Sequence, residues 1–351
     1  MERTLQIGDH LVGDESECFV IAEIGHNHQG NVETARQMID AAAEAGADAV
    51  KLQKRDNREL FTQAFYDAVY NSENSYGATY GEHREALELG WDDYVELKAH
   101  SERRGVLFFA TAFDHPSADF LAELDVPAYK IASGDLTNTP LLRHVSSIGK
   151  PIVASTGGAL MEDVERAHEV LSDGPAPFCL LQCTAGYPPA WEELNLSVIT
   201  TFRDRFPDTV IGFSSHDSGI AMALVAYTLG ARVIEKHFTL NRAMKGTDQA
   251  FSLEPTGLRK MVRDLRRARV AMGDGKKTMY ASEATPIQKM SKKVVARRPI
   301  PAGHALTLDD LAMRSPGDGL APHHADALVG RVVMRDLDED EAIAPDVFGD
   351  L

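Results

Sequence analysis

Two histidines end two short apolar stretches near the middle of the chain, and their type and spacing predict a metal site. His216 ends the stretch 209–216, and His237 ends the stretch 231–237. Side chains alternate along a strand, so Glu235 and His237 face the same side. Two imidazoles leave several coordination positions open, which suits a catalytic ion better than a structural one. A histidine met singly is more often a hydrogen-bonded structural residue, so the hypothesis requires the two stretches to be neighbours.

Other apolar stretches also end on polar side chains, and these suit an anionic ligand. The residues are Glu23, Lys51, Gln53, Thr111, Lys130, Ser133, Asp135, Ser155, Tyr187, Ser214 and Glu235. Lysine supplies a point charge and hydroxyl groups donate hydrogen bonds, so together they form a cradle for phosphate or carboxylate. Alternatively, each lysine pairs with Glu23 or Glu235 and only neutralises the interior. With the two histidines, the set predicts a metal-assisted reaction on an anionic small molecule, in which Glu23 is an acid–base group or the partner of Lys51.

A repeating unit of the sequence would bring these side chains together. Eight strand-like stretches alternate with eight amphipathic helical stretches over about 270 residues, the size of one α/β (β/α)8 TIM barrel. In this fold the C-terminal ends of all strands meet at one mouth. A doubly wound sheet, the structural alternative, needs an early G-x-G-x-x-G loop, and neither GHNHQG nor STGGAL has that spacing.

Local signals mark the ends of several elements. Asn31 is expected to cap the first helix and Gly46 to end it, while Ser218 and Gly230 are expected to cap the helix between the two histidines. The long segment 54–89 is rich in Asn, Tyr, Ser and Gly and follows the second strand. We expect it to overhang the mouth, because loops of this length are usually functional or disordered.

Changes in composition along the chain predict three segments. Residues 1–272 form the barrel, in which 1–17 are a polar lead-in with a hairpin that closes the barrel floor. Residues 273–292 are polar, lack a strong apolar period and are interpreted as a linker. Residues 293–351 contain short strands broken by Pro and Gly, which predicts a small β-rich domain.

The overall composition argues against several classes of protein. The 351 residues are 44% hydrophobic and 25% charged, an ordinary globular balance, and no apolar run is long enough to span a bilayer. The N-terminal stretch lacks a signal-peptide pattern and the three cysteines lie in apolar runs as free thiols, so a cytoplasmic location is expected. A net charge of −17 argues against a nucleic-acid partner and against a membrane surface.

A series of motifs along nearly the whole chain resembles one known family. The motifs are AEIGHNHQG, GADAVKLQKR, YGATYGEH, AYKIASGD, STGG, LLQCTAGYP, GFSSHDSGIA, VIEKHFTLNRAMKGTDQAFSLEP and RRPIPAGHALTLDDL. In this order they resemble the N-acetylneuraminate (sialic acid) synthase family. The resemblance implies a TIM barrel joined to an antifreeze-like (SAF, β-clip) domain in a domain-swapped homodimer. It also implies condensation of phosphoenolpyruvate with N-acetylmannosamine, or a close 2-acetamido sugar, to give N-acetylneuraminate or a related nonulosonic acid and phosphate.

The resemblance also implies a role for each matching residue. His216 and His237 would hold a catalytic divalent ion, with Mn²⁺ preferred over Mg²⁺ or Co²⁺. Glu23 would be the acid–base group. The residues implied to hold phosphoenolpyruvate are Lys51, Thr111, Lys130, Ser133, Ser155 and Ser214. Those implied to contact the sugar are Gln53, Asn74, Asp135, Tyr187, Asp248 and Arg314 of the partner subunit. Some members carry Glu in place of Asp135, Asn in place of Ala185, and Asp or Gly in place of Ser215. These departures bear on the identity of the sugar more than on the type of reaction.

Several alternatives stay open at this point. The acceptor could be N-acetylmannosamine 6-phosphate, which would make a sialic acid 9-phosphate, or a dideoxy diacetamido sugar, which would make a legionaminate- or pseudaminate-type product. A phosphorylated acceptor stays possible because the segment 54–89 carries several cations that could bind its phosphate group. They are Lys54, Arg55, Arg58, His83 and Arg84. A phosphoenolpyruvate-dependent aldolase for other ketoacids is disfavoured by the C-terminal domain. A glycan- or ice-binding protein with an inactive barrel predicts strand ends without lysine and histidine, which this chain retains.

Overall fold

Eight parallel strands close into a barrel in the computed structural model, which describes residues 3–348. The strands that follow the N-terminal hairpin, β1 Thr4–Ile7 and β2 His10–Gly13, are β3 Phe19–Gly25, β4 Ala49–Lys54, β5 Leu107–Ala112, β6 Tyr129–Ile131, β7 Ile152–Ser155, β8 Phe178–Cys183, β9 Val210–Ser215 and β10 Val233–His237. Each barrel strand pairs with its neighbours along the chain, and β10 closes the barrel against β3. The predicted TIM barrel is therefore confirmed.

The barrel strands are buried on both faces because helices cover their outer side. Their Val, Ile, Leu, Phe and Ala residues pack into one continuous core, and polar residues cluster at the C-terminal ends. The helices are α1 Val32–Ala45, α2 Asn57–Leu60, α3 Gln63–Tyr66, α4 Tyr80–Glu85, α5 Trp91–Arg104, α6 His115–Glu123, α7 Thr139–Ser147, α8 Met161–Ser172, α9 Val198–Arg205, α10 Ala221–Thr228, α11 Pro255–Met272 and α12 Ala284–Met290.

The ends of two helices test the predicted caps. Asn31 caps α1, where its side chain accepts a hydrogen bond from the Thr34 main-chain N–H at 2.9 Å, and Gly46 ends the helix with φ +86°. Ser218 was the wrong choice for α10, which is preceded by Ile220 and has no side-chain cap. Gly230 does follow that helix, with φ +106°.

The lead-in forms a hairpin at the N-terminal ends of the strands. Leu5, Ile7 and Val12 are buried and belong to the barrel core. Gly8 at its turn lies against the side chain of Leu107, the first residue of β5. The hairpin therefore covers the floor of the barrel, opposite the mouth.

The segment 54–89 is structured rather than a single open loop. It contains the three short helices α2, α3 and α4. Thr79 caps α4 in a capping box with Glu82, which fixes the last of these turns. The sequence missed these helices because each is four to six residues long, too short for an apolar period to appear.

Residues Asp274–Leu351 make up the second compact unit, and Met1–Gly273 make up the first. In the second unit, β11 Lys293–Ala296 pairs antiparallel with β12 Leu311–Arg314. Its core consists of Val294, Ala296, Ile300, Leu306, Leu311, Ala325, Leu328, Val333, Leu337, Ile343 and Val347. The segment interpreted as a linker carries α12. Across residues 3–348, no helix combines the length and the apolar character that crossing a membrane requires.

Candidate active site

Most of the predicted site residues converge on one cavity of about 520 Å³ at the C-terminal ends of the barrel strands. The predicted residues that line it are Glu23, Lys51, Gln53, Thr111, Lys130, Ser133, Ser155, Tyr187, Ser214, His216, His237 and Asp248. They come from all eight barrel strands or the loops that follow them, so only barrel closure brings them together.

Three predicted residues do not line the cavity. Asn74 instead accepts a hydrogen bond from the main-chain N–H of Gly246 at 3.0 Å, which ties the 54–89 segment to the loop after β10. Asp135 ends a 3-10 turn after β6 and accepts a hydrogen bond from Asn138 at 3.4 Å. Arg314 belongs to the second unit, where it pairs with Asp340.

The two histidine rings are neighbours because β9 and β10 pair directly. Their ring centres lie 5.3 Å apart. Nδ1 of His216 is 2.9 Å from the main-chain oxygen of Thr184, which can only accept, so Nδ1 carries the proton and Nε2 keeps its lone pair. Nδ1 of His237 is buried without a hydrogen-bond partner among the described residues and lies 3.6 Å from Oδ2 of Asp248.

These residues fit a divalent ion. Burial, with the neighbouring His237, lowers the pKa of His216 to about 4, and burial also lowers the pKa of His237, so both rings are neutral as metal binding requires. With metal–nitrogen bonds of about 2.1 Å, the ring centres of two ligands on one ion lie roughly 5 Å apart. Within residues 3–348, no third His, Cys, Asp or Glu completes a metal-binding group, so the remaining positions would be open to water or substrate.

Two buried ion pairs line the cavity beside the histidines. Lys51 Nζ lies 2.7 Å from Glu23 and donates to Thr111 at 2.8 Å. Lys130 Nζ lies 3.9 Å from Glu235 and donates to the Ser155 hydroxyl at 2.6 Å. Both lysines therefore have the glutamate partners that the sequence analysis gave as the alternative to ligand binding. Each lysine still faces the cavity, so neutralisation and ligand binding are compatible roles.

The pKa values of the two carboxyl groups in these pairs are shifted in opposite directions. Burial raises the pKa of the Glu23 carboxyl, against the opposing effect of Lys51. Burial also opposes ionisation of Glu235, but Lys130 and Lys51 hold the pKa of its carboxyl below the usual value. When the pKa values of two neighbouring carboxyl groups differ in this way, one can donate a proton while the other stays ionised. Glu23 is thus the better proton donor of the two.

Two of the five cations that the sequence named as possible contacts of an acceptor phosphate, Arg55 and Arg84, also line the cavity. Arg55 and Arg84 flank the His26 ring, with Nη1 atoms 3.0 Å from Nε2 and 3.5 Å from Nδ1 respectively. Within the described residues, no carboxylate lies in ion-pair contact with either guanidinium group, although Glu88 accepts from the Arg55 main-chain N–H at 3.3 Å. Two guanidinium groups at one cavity wall, neither in ion-pair contact with a carboxylate among the described residues, are suited to bind an anion.

The remaining lining residues carried weaker signals in the sequence. Arg55 continues the alternation of Lys51 and Gln53 one step beyond β4, so the strand pattern could have identified it. Arg84 could not be found this way because it lies on the short helix α4. The other unassigned lining residues are Phe113, Ala132, Gly134, Cys183, Ala185, Glu235 and Thr247.

Comparisons with known proteins agree with this geometry. The family model described as NeuB family matches residues 38–277, and the SAF domain model matches residues 293–348. The human N-acetylneuraminate-9-phosphate synthase is 40% identical over 95% of this chain and 93% of its own length. The N,N'-diacetyllegionaminic acid synthase of Legionella pneumophila is 34% identical over 93% of each chain.

A solved relative has the same architecture. The N-acetylneuraminic acid (sialic acid) synthetase of Leptospira borgpetersenii, crystallised with citrate, superposes with a TM-score of 0.72 at 34% identity. The match covers 82% of this chain and 96% of that one. The family model spans more than half of the chain, and the relatives match almost all of it. The chain therefore belongs to the NeuB family of sialic acid and nonulosonic acid synthases.

Proposed function

We propose that the protein condenses phosphoenolpyruvate with the open-chain aldehyde of a 2-acetamido sugar, giving a nonulosonic acid and phosphate. The observation that carries the proposal is the convergence of two lysines, their hydroxyl neighbours and two neutral histidines on one cavity. The names of the relatives support the product class.

The cradle would hold phosphoenolpyruvate at the bottom of the cavity. Lys51 and Lys130 are each almost completely buried and each donates to a hydroxyl group, Thr111 and Ser155. These four groups would bind the phosphate and carboxylate and orient C3 of the enol towards the mouth. Bond formation from C3 to the aldehyde carbon makes C2 electrophilic, water adds at C2, and the C2–O bond to phosphate breaks. Water thus supplies the keto oxygen; one of its protons leaves with the phosphate, and the other restores the proton that the acid group gives to the aldehyde oxygen.

Protons would be handled by groups of the chain itself. Glu23 accepts a hydrogen bond from Gln53 at 2.7 Å and, with its raised pKa, is placed to protonate the aldehyde oxygen as it becomes a hydroxyl. Tyr187 packs on the His216 ring with centres 4.1 Å apart, so it would cover the sugar side of the site. A divalent ion held by His216 and His237 supplies Lewis-acid polarisation of a carbonyl group.

A phosphorylated acceptor is the form of this reaction that one observation favours. Arg55, which directly follows β4, and Arg84 on α4 would provide an anion site separate from the lysine cradle. An acceptor with a 6-phosphate would place that group there, and N-acetylmannosamine 6-phosphate would yield N-acetylneuraminate 9-phosphate. The human relative named for that product supports this choice over the unphosphorylated sugar and over diacetamido sugars.

A product assay tests the proposal. Metal-stripped protein is given phosphoenolpyruvate, Mn²⁺ and either N-acetylmannosamine, its 6-phosphate or a diacetamido sugar, and phosphate and nonulosonic acid are measured. We expect turnover to require both the sugar and the ion. His216→Gln and His237→Gln should each lose more than about 100-fold in kcat, because each removes a direct ligand.

The control for these variants is His144→Gln, which alters a half-exposed histidine paired with Asp119 at 2.7 Å on the outside of the barrel. It should keep wild-type turnover. Full metal-independent activity in either His216→Gln or His237→Gln would contradict the metal assignment. Phosphate release without a sugar would contradict the condensation itself.

A further inference from the structure

A lysine on the outer face of the barrel is buried next to one of the two histidines. Lys236 lies between Glu235 and His237 in β10, and strand alternation turns it away from the cavity towards the helices. Its side chain is only 2% exposed. Burying an ammonium group costs several kcal/mol unless its hydrogen bonds are replaced, so its partners indicate what it does there.

All the partners of Lys236 belong to the two residues that flank His216. Nζ donates to the Asp217 carboxylate at 2.9 Å, to the Asp217 main-chain oxygen at 2.6 Å, and to the Ser215 hydroxyl at 3.3 Å. These three contacts use the three protons of the ammonium group. Ser215 donates to the same carboxylate, which joins the three side chains in one buried network.

The network lies just beyond the end of β9, where the main chain no longer forms hydrogen bonds within the sheet. β9 ends at Ser215, which pairs with Lys236 across the sheet, so His216 lies one residue beyond the last ladder position. Its ring is fixed on one side by Thr184, which follows β8. Its main chain is fixed on the other side by the bond from Lys236 to the Asp217 oxygen. The position of His216 relative to His237 therefore depends on Lys236.

We propose that Lys236 and Asp217 are positioning residues, whose buried ion pair holds His216 at the distance from His237 at which both rings bind one divalent ion. The inference rests on the proposed function, since it takes the two histidines as a joint metal site. An apolar pair of the same volume would pack the outer face as well, and such replacements of buried ion pairs are often neutral for stability. Packing alone therefore does not require the charges.

The test is the Mn²⁺ affinity of the full-length, metal-stripped protein, measured as free Mn²⁺ by electron paramagnetic resonance. Lys236→Met should bind Mn²⁺ about 10–100-fold more weakly, the usual effect of losing a group that orients a metal ligand. Asp217→Asn keeps the shape and one hydrogen bond, so it should lose less affinity. This second variant keeps the test valid if Lys236→Met does not fold.

The matched control is Arg203→Met. Arg203 is also a partly buried cation in an ion pair, 2.9 Å from Asp14, and it binds the Gly230 main-chain oxygen without contacting the residues around the histidines. It should change the melting temperature but not the Mn²⁺ affinity. Mn²⁺ binding within twofold of wild type in Lys236→Met, or an equal loss in Arg203→Met, would overturn the positioning role. Wild-type protein that binds no Mn²⁺ would overturn the metal site as well.

Discussion

At the scale of single residues, charge compensation separates the cations of the cavity into two kinds. Lys51 and Lys130 each have a buried carboxylate partner, Glu23 and Glu235. Arg55 and Arg84 have no such partner among the described residues. A compensated lysine keeps its proton in a buried site without a ligand, whereas uncompensated guanidinium groups gain most when an anion arrives. Selectivity for a second phosphate should therefore depend on the arginines.

Replacing Arg84 with Ala should lower kcat/KM for the 6-phosphorylated acceptor by about 10–100-fold, since a charge-assisted hydrogen bond is worth about 1.5–3 kcal/mol. The unphosphorylated sugar should lose only a few-fold. The control is Arg58→Ala, because Arg58 stacks on Tyr66 at 3.5 Å from the ring centre and does not line the cavity. Steady-state kinetics with both acceptors checks this. Equal losses on the two sugars would argue that Arg84 does not bind the phosphate.

At the scale of secondary-structure elements, the residues at the strand ends were predictable from their local pattern, whereas the loop residue Asp248 was assigned a role only through the family resemblance. Alternation is a local property, so Lys51, Gln53 and Glu235 could be assigned a face from the sequence alone. Arg84 acts through the packing of α4 within a long loop. Lys236 and Asp217 are far apart along the chain and meet only because β9 and β10 pair. Contacts of this kind require the barrel to close before they can be seen.

The second unit depends on one buried carboxylate. Asp310 accepts hydrogen bonds from Thr307 and from Arg298 at 2.6 Å, and lies 2.9 Å from the His304 ring. Burial opposes its ionisation, but the bonds from His304, Thr307 and Arg298 hold the pKa of Asp310 far below its usual value of 3.8. The charged form is favoured in the folded state, so this stability is present above about pH 4 and is lost as the pH falls below it.

Asp310→Asn should therefore destabilise the second unit by about 2 kcal/mol at pH 7, the order of one hydrogen bond to a charged group. The difference from wild type should shrink below about pH 4, where the carboxyl group protonates in the unfolded chain while the folded protein still holds it ionised. Hydrogen exchange of the amides of β11 in the full-length protein measures both. Asp318→Asn, which removes an exposed pair with Lys293, is the control and should have little effect. Unchanged exchange in Asp310→Asn would show that the network is dispensable.

At the scale of the whole molecule, the cavity has the opposite sign to the protein. The chain has 53 acidic and 36 basic residues, a net charge of −17, whereas the cavity is lined by four cations, Lys51, Lys130, Arg55 and Arg84, against the three carboxyl groups of Glu23, Glu235 and Asp248. Such a concentrated charge focuses the field at the mouth and attracts anions that the remaining surface repels. The barrel is thus suited to anionic reactants, although the composition alone argues against anionic partners.

The domain-swapped homodimer stays a prediction, and Arg314 provides its test. Arg314 is 45% exposed and pairs with Asp340 and, at 3.7 Å, with Glu339, so its guanidinium is held but accessible. If it binds the acceptor in the partner subunit, Arg314→Ala should raise the KM for the sugar by about 10-fold or more and leave the KM for phosphoenolpyruvate nearly unchanged. Light scattering should show a dimer. A fully active monomer, or a rise confined to the phosphoenolpyruvate KM, would contradict the prediction.

The hairpin across the barrel floor has a kinetic consequence. Because side chains fill the barrel interior and β1 and β2 cover its far end, residues 3–348 leave the cavity open only at the mouth, so we expect reactants and products to pass through that opening. If the two lysines bind phosphoenolpyruvate at the bottom of the cavity, as proposed, that molecule lies behind a sugar that contacts Tyr187 and Asp248. If the proposed condensation takes place here, we expect phosphoenolpyruvate to bind before the sugar, and phosphate to leave after the nonulosonic acid.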